Sequence, residues 1–193
     1  TFTEILHTLP DLEDADISWG DFNNDGKPDL LMLGVGATIA ENSYYCKIYL
    51  NEGNGSFSIL KDLQPYGSVA SSIVDFNNDG KLEIGVNLKG GTFLMLDGAT
   101  GQETWRFVKE KDFAGIEISA FDISGVPYTI IGGADQKIYF FDPKGQLLHT
   151  INVGDRITSL CAGDVDGGDH NELLVGVGQN KIICYEIKHK DLL

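Results

Sequence analysis

The sequence is poor in positive charge. Lys and Arg number 14 against 29 Asp and Glu in 193 residues, giving a formal net charge of −15. Nucleic acids and anionic membrane surfaces are recognised through clustered Lys and Arg, and the longest basic cluster is Lys188-His189-Lys190. Nucleic acid is therefore excluded as a partner, and cations are the natural counterpart of this charge. No run approaches the roughly 20 apolar residues of a membrane span, so membrane insertion is not expected. A signal-peptide pattern is also missing from the opening residues, which fits a cytosolic chain or one read from after a removed leader. Cysteine is scarce and odd in number, Cys46, Cys161 and Cys184, with no C-x-x-C spacing. That excludes a disulfide framework and leaves one pair open, Cys161 with Cys184. No window of helical length carries a 3.6-residue period, so helical folds drop out. G-x-S-x-G and H-E-x-x-H are absent and the four histidines are scattered, so the common hydrolase and zinc signatures are missing too.

What is present is enough to fold. Hydrophobic residues make up 42% and aromatics 10%, which argues against disorder, and the length suits one compact domain. Self-similarity then decides the architecture. Four segments align, running from Ile17 to Leu33, Ser72 to Val86, Ile118 to Ile131 and Ser159 to Val177, with equivalent aspartates Asp21, Asp75, Asp122 and Asp164. Each repeat orders short β-type runs between Asn, Asp and Gly turns. In the second these are Val69–Phe76, Leu82–Leu88, Gly91–Leu96 and Glu103–Val108. Spacings of 42 to 54 residues suit propeller blades of four antiparallel strands,. The expected fold is an all-β propeller in one domain, residues 1–193, with blades at about 11–64, 65–110, 111–154 and 155–193. The last repeat supplies three runs. Residues 1–10 resemble the outer run Phe57–Leu63 and are expected to complete it, closing a four-bladed ring; a piece of a larger ring is the alternative.

The sharpest chemistry lies in Asp21-Phe-Asn-Asn-Asp-Gly-Lys-Pro-Asp29 and Asp75-Phe-Asn-Asn-Asp-Gly-Lys-Leu-Glu83. Calcium takes six to eight hard oxygen ligands, and oxygen side chains at alternating positions of a loop can wrap one ion. Positions one, three and five are Asp21, Asn23 and Asp25; position seven offers the Lys27 carbonyl and position nine Asp29. The second loop repeats this with Asp75, Asn77, Asp79, the Lys81 carbonyl and Glu83. An EF-hand would need a Glu at position twelve and flanking helices, whereas Met32 and Val86 stand there and the flanks are β-type. Asn, Asp and Gly also make plain tight turns, but two near-identical loops at one place in successive repeats favour metal. The third loop, Asp164-Val-Asp-Gly-Gly-Asp-His-Asn-Glu172, puts Gly168 at position five and moves the acid to Asp169, leaving Asp164, Asp166 and Glu172 in step. The matching stretch from Asp122 to Tyr128 keeps one carboxylate and is expected to be metal-free.

Asp-x-Asn-x-Asp-Gly-x-x-Asp/Glu followed by an apolar strand, once per blade, resembles the calcium loops of the integrin α-subunit propeller family, the FG-GAP and VCBS-type repeats. The resemblance implies two calcium sites, with the third loop as a further candidate, and side-chain ligands at the positions named. Such calcium is structural rather than catalytic, because a closed hairpin of protein oxygens leaves little room for substrate. Leu96-Asp-Gly-Ala-Thr-Gly-Gln-Glu-Thr-Trp105 resembles the tryptophan-docking turn of quinoprotein propellers and implies that Trp105 packs between blades. Tyr44-Tyr45 and Trp19 are read as packing rather than as a ligand platform, and Asn54-Gly-Ser56 as a turn.

The expected function is a non-catalytic, secreted or cell-surface binding or adhesion module that presents a propeller face to a protein or carbohydrate partner. Extracellular calcium near millimolar fills even weak sites. Two other readings stand beside it: the scaffold of a polysaccharide lyase, and an intracellular scaffold subunit, which suits unpaired cysteines.

Overall fold

The computed structural model describes residues 7, 9–36, 44–63, 68–88, 90–109, 115–123, 125–168, 171–178, 180–188 and 192. Among them there is no helix, and fifteen strands form four antiparallel sheets in chain order. The first sheet holds β1 (Leu12–Gly20), β2 (Asp29–Gly36), β3 (Tyr44–Gly53) and β4 (Ser56–Asp62). The second holds β5 (Ser68–Val74), β6 (Glu83–Leu88), β7 (Thr92–Asp97) and β8 (Glu103–Val108). The third holds β9 (Gly115–Ile123), β10 (Val126–Gly133), β11 (Lys137–Phe141) and β12 (Leu147–Asn152), and the fourth β13 (Ile157–Gly163), β14 (Glu172–Val177) and β15 (Lys181–Glu186). Every sheet is an up-and-down meander, each strand pairing with its sequence neighbour. The runs expected from turn chemistry match these strands to within two residues. Most of the expected N-terminal strand falls on residues outside those described; Leu9, which is described, packs against the first sheet.

Burial explains why middle strands read as continuous apolar runs and outer strands alternate. All six residues of β6 are buried, because sheets cover both of its faces, whereas the outer strand β8 alternates between exposed and half-buried positions,. Residues i and i+2 of a strand share a face. Leu31 and Leu33 thus meet Ile84, Val86 and Leu88 in a core between sheets one and two. Phe93 and Met95 meet Ile131, Tyr139 and Phe141 between sheets two and three, and Ile130, Ile138 and Phe140 meet Leu173 and Val175 between three and four. Leu30, Met32, Tyr45 and Tyr49 form a fourth cluster on the outer side of the first sheet. Among the described residues no cluster joins the first sheet to the fourth.

The Trp105 turn behaves as its resemblance implies. The indole lies 4.9 Å from the ring of Phe93 in its own sheet and 5.3 Å from that of Phe141 in the next, measured between centroids. Tyr45 and Tyr49 are buried and share a hydrogen bond between their hydroxyls, so these two pack, whereas Trp19 is 56% exposed and departs from the packing expectation. Cys161 and Cys184 close the one pairing that the sequence leaves open. Both sit opposite Leu174, on either side of β14, which sets their backbones about two strand spacings, ~9.5 Å, apart. A disulfide spans less than about 7 Å between Cα atoms, and both thiols are free.

Candidate metal centres

The acidic loops join the first and second strands of sheets one, two and four. Strand register places Gly20 opposite Asp29, Val74 opposite Glu83 and Gly163 opposite Glu172. Position nine therefore begins the returning strand, directly across from the residue before position one. The turn inside passes through a left-handed residue at the same place each time. Position four adopts a left-handed conformation at Asn24 (φ 56°), Asn78 (φ 59°) and Gly167 (φ 77°), and Gly26 and Gly80 do so at φ 84°. Asn and Gly tolerate this region, which explains their place in the motif.

Within the first loop Asp21 accepts hydrogen bonds from the backbone N–H groups of Asp25 (3.0 Å) and Gly26 (2.9 Å), while Asn23 Oδ1 accepts a second one from Asp25. Asp75 and Asn77 repeat this pattern toward Asp79 and Gly80. At position seven the N–H groups of Lys27 and Lys81 donate to Asp25 Oδ1 and Asp79 Oδ1. The Lys27 ammonium also pairs with Asp25 Oδ2 at 3.0 Å, and this bond holds the Asp25 carboxyl below its ordinary range.

The acid at position nine has a structural task that spacing alone did not reveal. Asp29 is fully buried and accepts the N–H of Phe22 at one oxygen and that of Asn51, on the third strand, at the other, both at 2.9 Å. Glu83 accepts the N–H of Phe76 and the amide of Asn77, and Glu172 the N–H of Val165. In each loop this carboxylate ties position two to the returning strand. Burial pushes the Glu83 carboxyl up to about 7 against the Phe76 hydrogen bond, with Asp79, Asp75 and Asp97 adding to the rise.

The third loop, the most irregular in sequence, brings its carboxylates closest together. Oxygens of Asp164, Asp166 and Glu172 lie within 4.8 Å of one another, the one such trio among the described residues. Asp replaces Asn at position three here, and Gly168 at position five presents no side chain that a lysine could pair with. Backbone N–H groups are the donors to this trio: Gly167 to Asp164, Gly168 to Asp166 and Val165 to Glu172. Three convergent carboxylates with only hard oxygen donors fit calcium. The carboxylates of loops one and two do not gather in threes in this way. Asp169, the displaced acid, lies outside the described residues.

Both well-matched loops lie inside a segment that a family model recognises. Residues 21–86 match the FG-GAP-like repeat family. The FG-GAP-like segment runs from the first acid of loop one to the strand after loop two, so it covers the two loops with intact Asp-x-Asn-x-Asp-Gly spacing. No curated protein matches the chain. Among solved structures the chain is similar to BBS1N, crystallised in complex with ARL6DN and soaked with mercury, at 12% identity and a TM-score of 0.61. That match covers 97% of this chain and 55% of BBS1N, so the chain spans about half the length of that relative. The computationally designed Ika4 protein is similar at 18% identity and a TM-score of 0.59, over 84% of this chain and 87% of Ika4. Both are likenesses of fold.

Sequence reasoning also missed a polar clamp between sheets two and three. Lys109, just past β8, hydrogen-bonds to Asp135 and to the hydroxyl of Tyr139, which itself donates to Asp135, and the ammonium stands 4.5 Å from the centroid of the Tyr139 ring. Burial pushes the Asp135 carboxyl up, but the bonds from Lys109 and Tyr139 outweigh it and hold the group below its ordinary range. Nothing in the spacing of these residues announces the contact.

Proposed function

We propose that the four sheets are blades of a propeller-type module, stabilised by calcium in its acidic loops, which binds a protein partner without catalysis. The observation that carries the reading is the trio Asp164, Asp166 and Glu172, three oxygen ligands already converged at the place where loops one and two repeat the calcium spacing. A bound cation would relieve the repulsion among these carboxylates and lock the hairpin between first and second strands. The residues that would hold it are Asp164, Asp166 and Glu172 in loop three, with Asp21, Asn23, Asp25 and Asp29, and Asp75, Asn77, Asp79 and Glu83, as the equivalent sets.

Protein is favoured over carbohydrate as the partner because BBS1N, of similar fold, was crystallised with ARL6DN. A secreted or surface location suits the calcium reading, since sites of 10⁻⁴ to 10⁻³ M affinity fill only outside cells, as a rough guide. Binding screens against protein and glycan panels, in calcium and in chelator, test the module reading. Calcium-dependent capture of a defined protein supports it. New ultraviolet absorbance from unsaturated sugar ends on acidic polysaccharides would instead establish the lyase alternative.

A further inference from the structure

Loops one and two meet at the junction of their sheets. Phe22, at position two of loop one, is fully buried in the core between sheets one and two, and Leu82, at position eight of loop two, packs against the same core. Both side chains reach one point above Gly20, where a Cβ would meet Phe22 Cε1 at 2.7 Å and Leu82 Cδ1 at 3.1 Å. Gly98, in the turn between β7 and β8, donates its N–H to the Leu82 carbonyl at 3.1 Å, and a Cβ on it would lie 3.5 Å from Phe22 Cβ. Phe22 thus sits in a slot between Gly20 of its own sheet and Leu82 and Gly98 of the next. In their loops, Phe22 stands between Asp21 and Asn23, ligand positions one and three, and Leu82 between the Lys81 carbonyl and Glu83, positions seven and nine. Each is also tied to its own loop: the Phe22 N–H donates to Asp29, and the Lys81 N–H to Asp79. The ring therefore joins the first half of one loop to the second half of the next. Phe76 of loop two is buried in the same way against sheet three, whose loop from Asp122 keeps one carboxylate. The line of contacts from loop two thus reaches a sheet without a metal loop before it reaches loop three on sheet four.

We propose that loops one and two bind calcium cooperatively through the contact of Phe22 with Leu82, while loop three fills independently. The inference rests on the calcium reading above. Closing loop one around an ion fixes Asp21 and Asn23, and with them the Phe22 ring between them. The ring then holds Leu82, so positions seven and nine of loop two are ordered before that loop receives its own ion. The second ion has less disorder to remove, and by linkage the effect is equal in both directions. Charge acts in the opposite sense, because two divalent ions repel each other, weakly beyond roughly 10 Å in salt. Affinity that rises with the first ion is therefore the mark of packing rather than of charge.

Calorimetric titration of calcium into the metal-free chain tests the proposal. Asp166→Ala leaves loops one and two, and adding Asp79→Ala or Asp25→Ala leaves one of them alone. The product of the two stepwise binding constants of the Asp166→Ala chain is expected to exceed the product of the two single-loop constants by about fivefold or more. Leu82→Ala keeps the carbonyl that Gly98 bonds and spares the buried Phe22, and with it the excess is expected to vanish. The Asp25→Ala chain keeps loops two and three, and its product is expected to match that of its single-loop constants. Equal products in the Asp166→Ala chain, an excess that survives Leu82→Ala, or the same excess between loops two and three overturns the coupling and leaves the calcium reading in place. Chains that take up no calcium overturn that reading, and the coupling with it.

Discussion

Gly145, in the turn between β11 and β12, lies directly on the indole of Trp105 from the neighbouring sheet: a Cβ at position 145 would meet Trp105 Cγ at 2.5 Å. The same residue holds φ at +80°, so two independent causes require glycine there. The contact seals the junction of sheets two and three, where Phe93 and Phe141 flank the indole. Gly145→Ala is expected to cost about 2–4 kcal/mol, strain and overpacking together. Trp105→Ala is expected to cost about 3 kcal/mol through the cavity it leaves, with Trp105→Phe recovering part of it. Urea unfolding measures all three.

Position nine and position five of the first loop separate structural from ligand roles. Asp29 satisfies two backbone N–H groups from inside the sheet, so Asp29→Ala leaves both unpaired and is expected to cost roughly 2–4 kcal/mol even in chelator. Asp25 is exposed and its partners lie within the loop. Asp25→Ala is therefore expected to be near-neutral in chelator and to lower stability only when calcium is present. Equal losses in both conditions for the two variants would refute the division of labour.

The Lys109 clamp gives an acid-side prediction. Because the folded state holds Asp135 below its ordinary 3.8, the stabilisation from this carboxylate is present above pH 3.8 and is lost as pH falls through the lower folded value. Lys109 and Tyr139 hydrogen-bond the group, and Lys137 adds a further favourable charge. Asp135→Asn is expected to flatten this part of the dependence of urea midpoint on pH. A double-mutant cycle between Lys109→Met and Asp135→Asn is expected to show coupling of about 1 kcal/mol.

The cysteines are expected to remain thiols. Alkylation in denaturant without reductant should add three labels, since Cys161 and Cys184 stand too far apart to bond. In the native state Cys46 is expected to resist labelling, because burial, with Asp62 adding to it, pushes its thiol up to about 12. Two labels missing in denaturant would overturn the strand register of the fourth sheet.

Strand content, strand order and the position of the loops were legible because they follow from local chemistry: Asn and Gly mark the turns, and buried middle strands carry unbroken apolar runs such as Leu30–Leu33. Trp105 was legible for the same reason, its turn lying within nine residues. Asp29 and Glu83 were found as acids but not as caps of the returning strand, since that role depends on register, which brings Asn51 from 22 positions away. The clamp of Lys109 with Asp135 spans 26 positions and two sheets, and no periodicity carries such a contact. In loop three the convergence of Asp164, Asp166 and Glu172 depends on how the loop folds, which the shift of the acid from position five to position six does not reveal.

Calcium in the acidic loops is the claim on which the rest leans, and thermal or urea unfolding in calcium against chelator tests it most directly. Calcium at about a hundred times its dissociation constant is expected to add roughly 2.7 kcal/mol per occupied site. The share belonging to the third loop should vanish in Asp166→Ala, while that variant loses little in chelator, its bond from the Gly168 N–H being exposed. Identical unfolding curves with calcium and with chelator would contradict the account and leave the loops as turns.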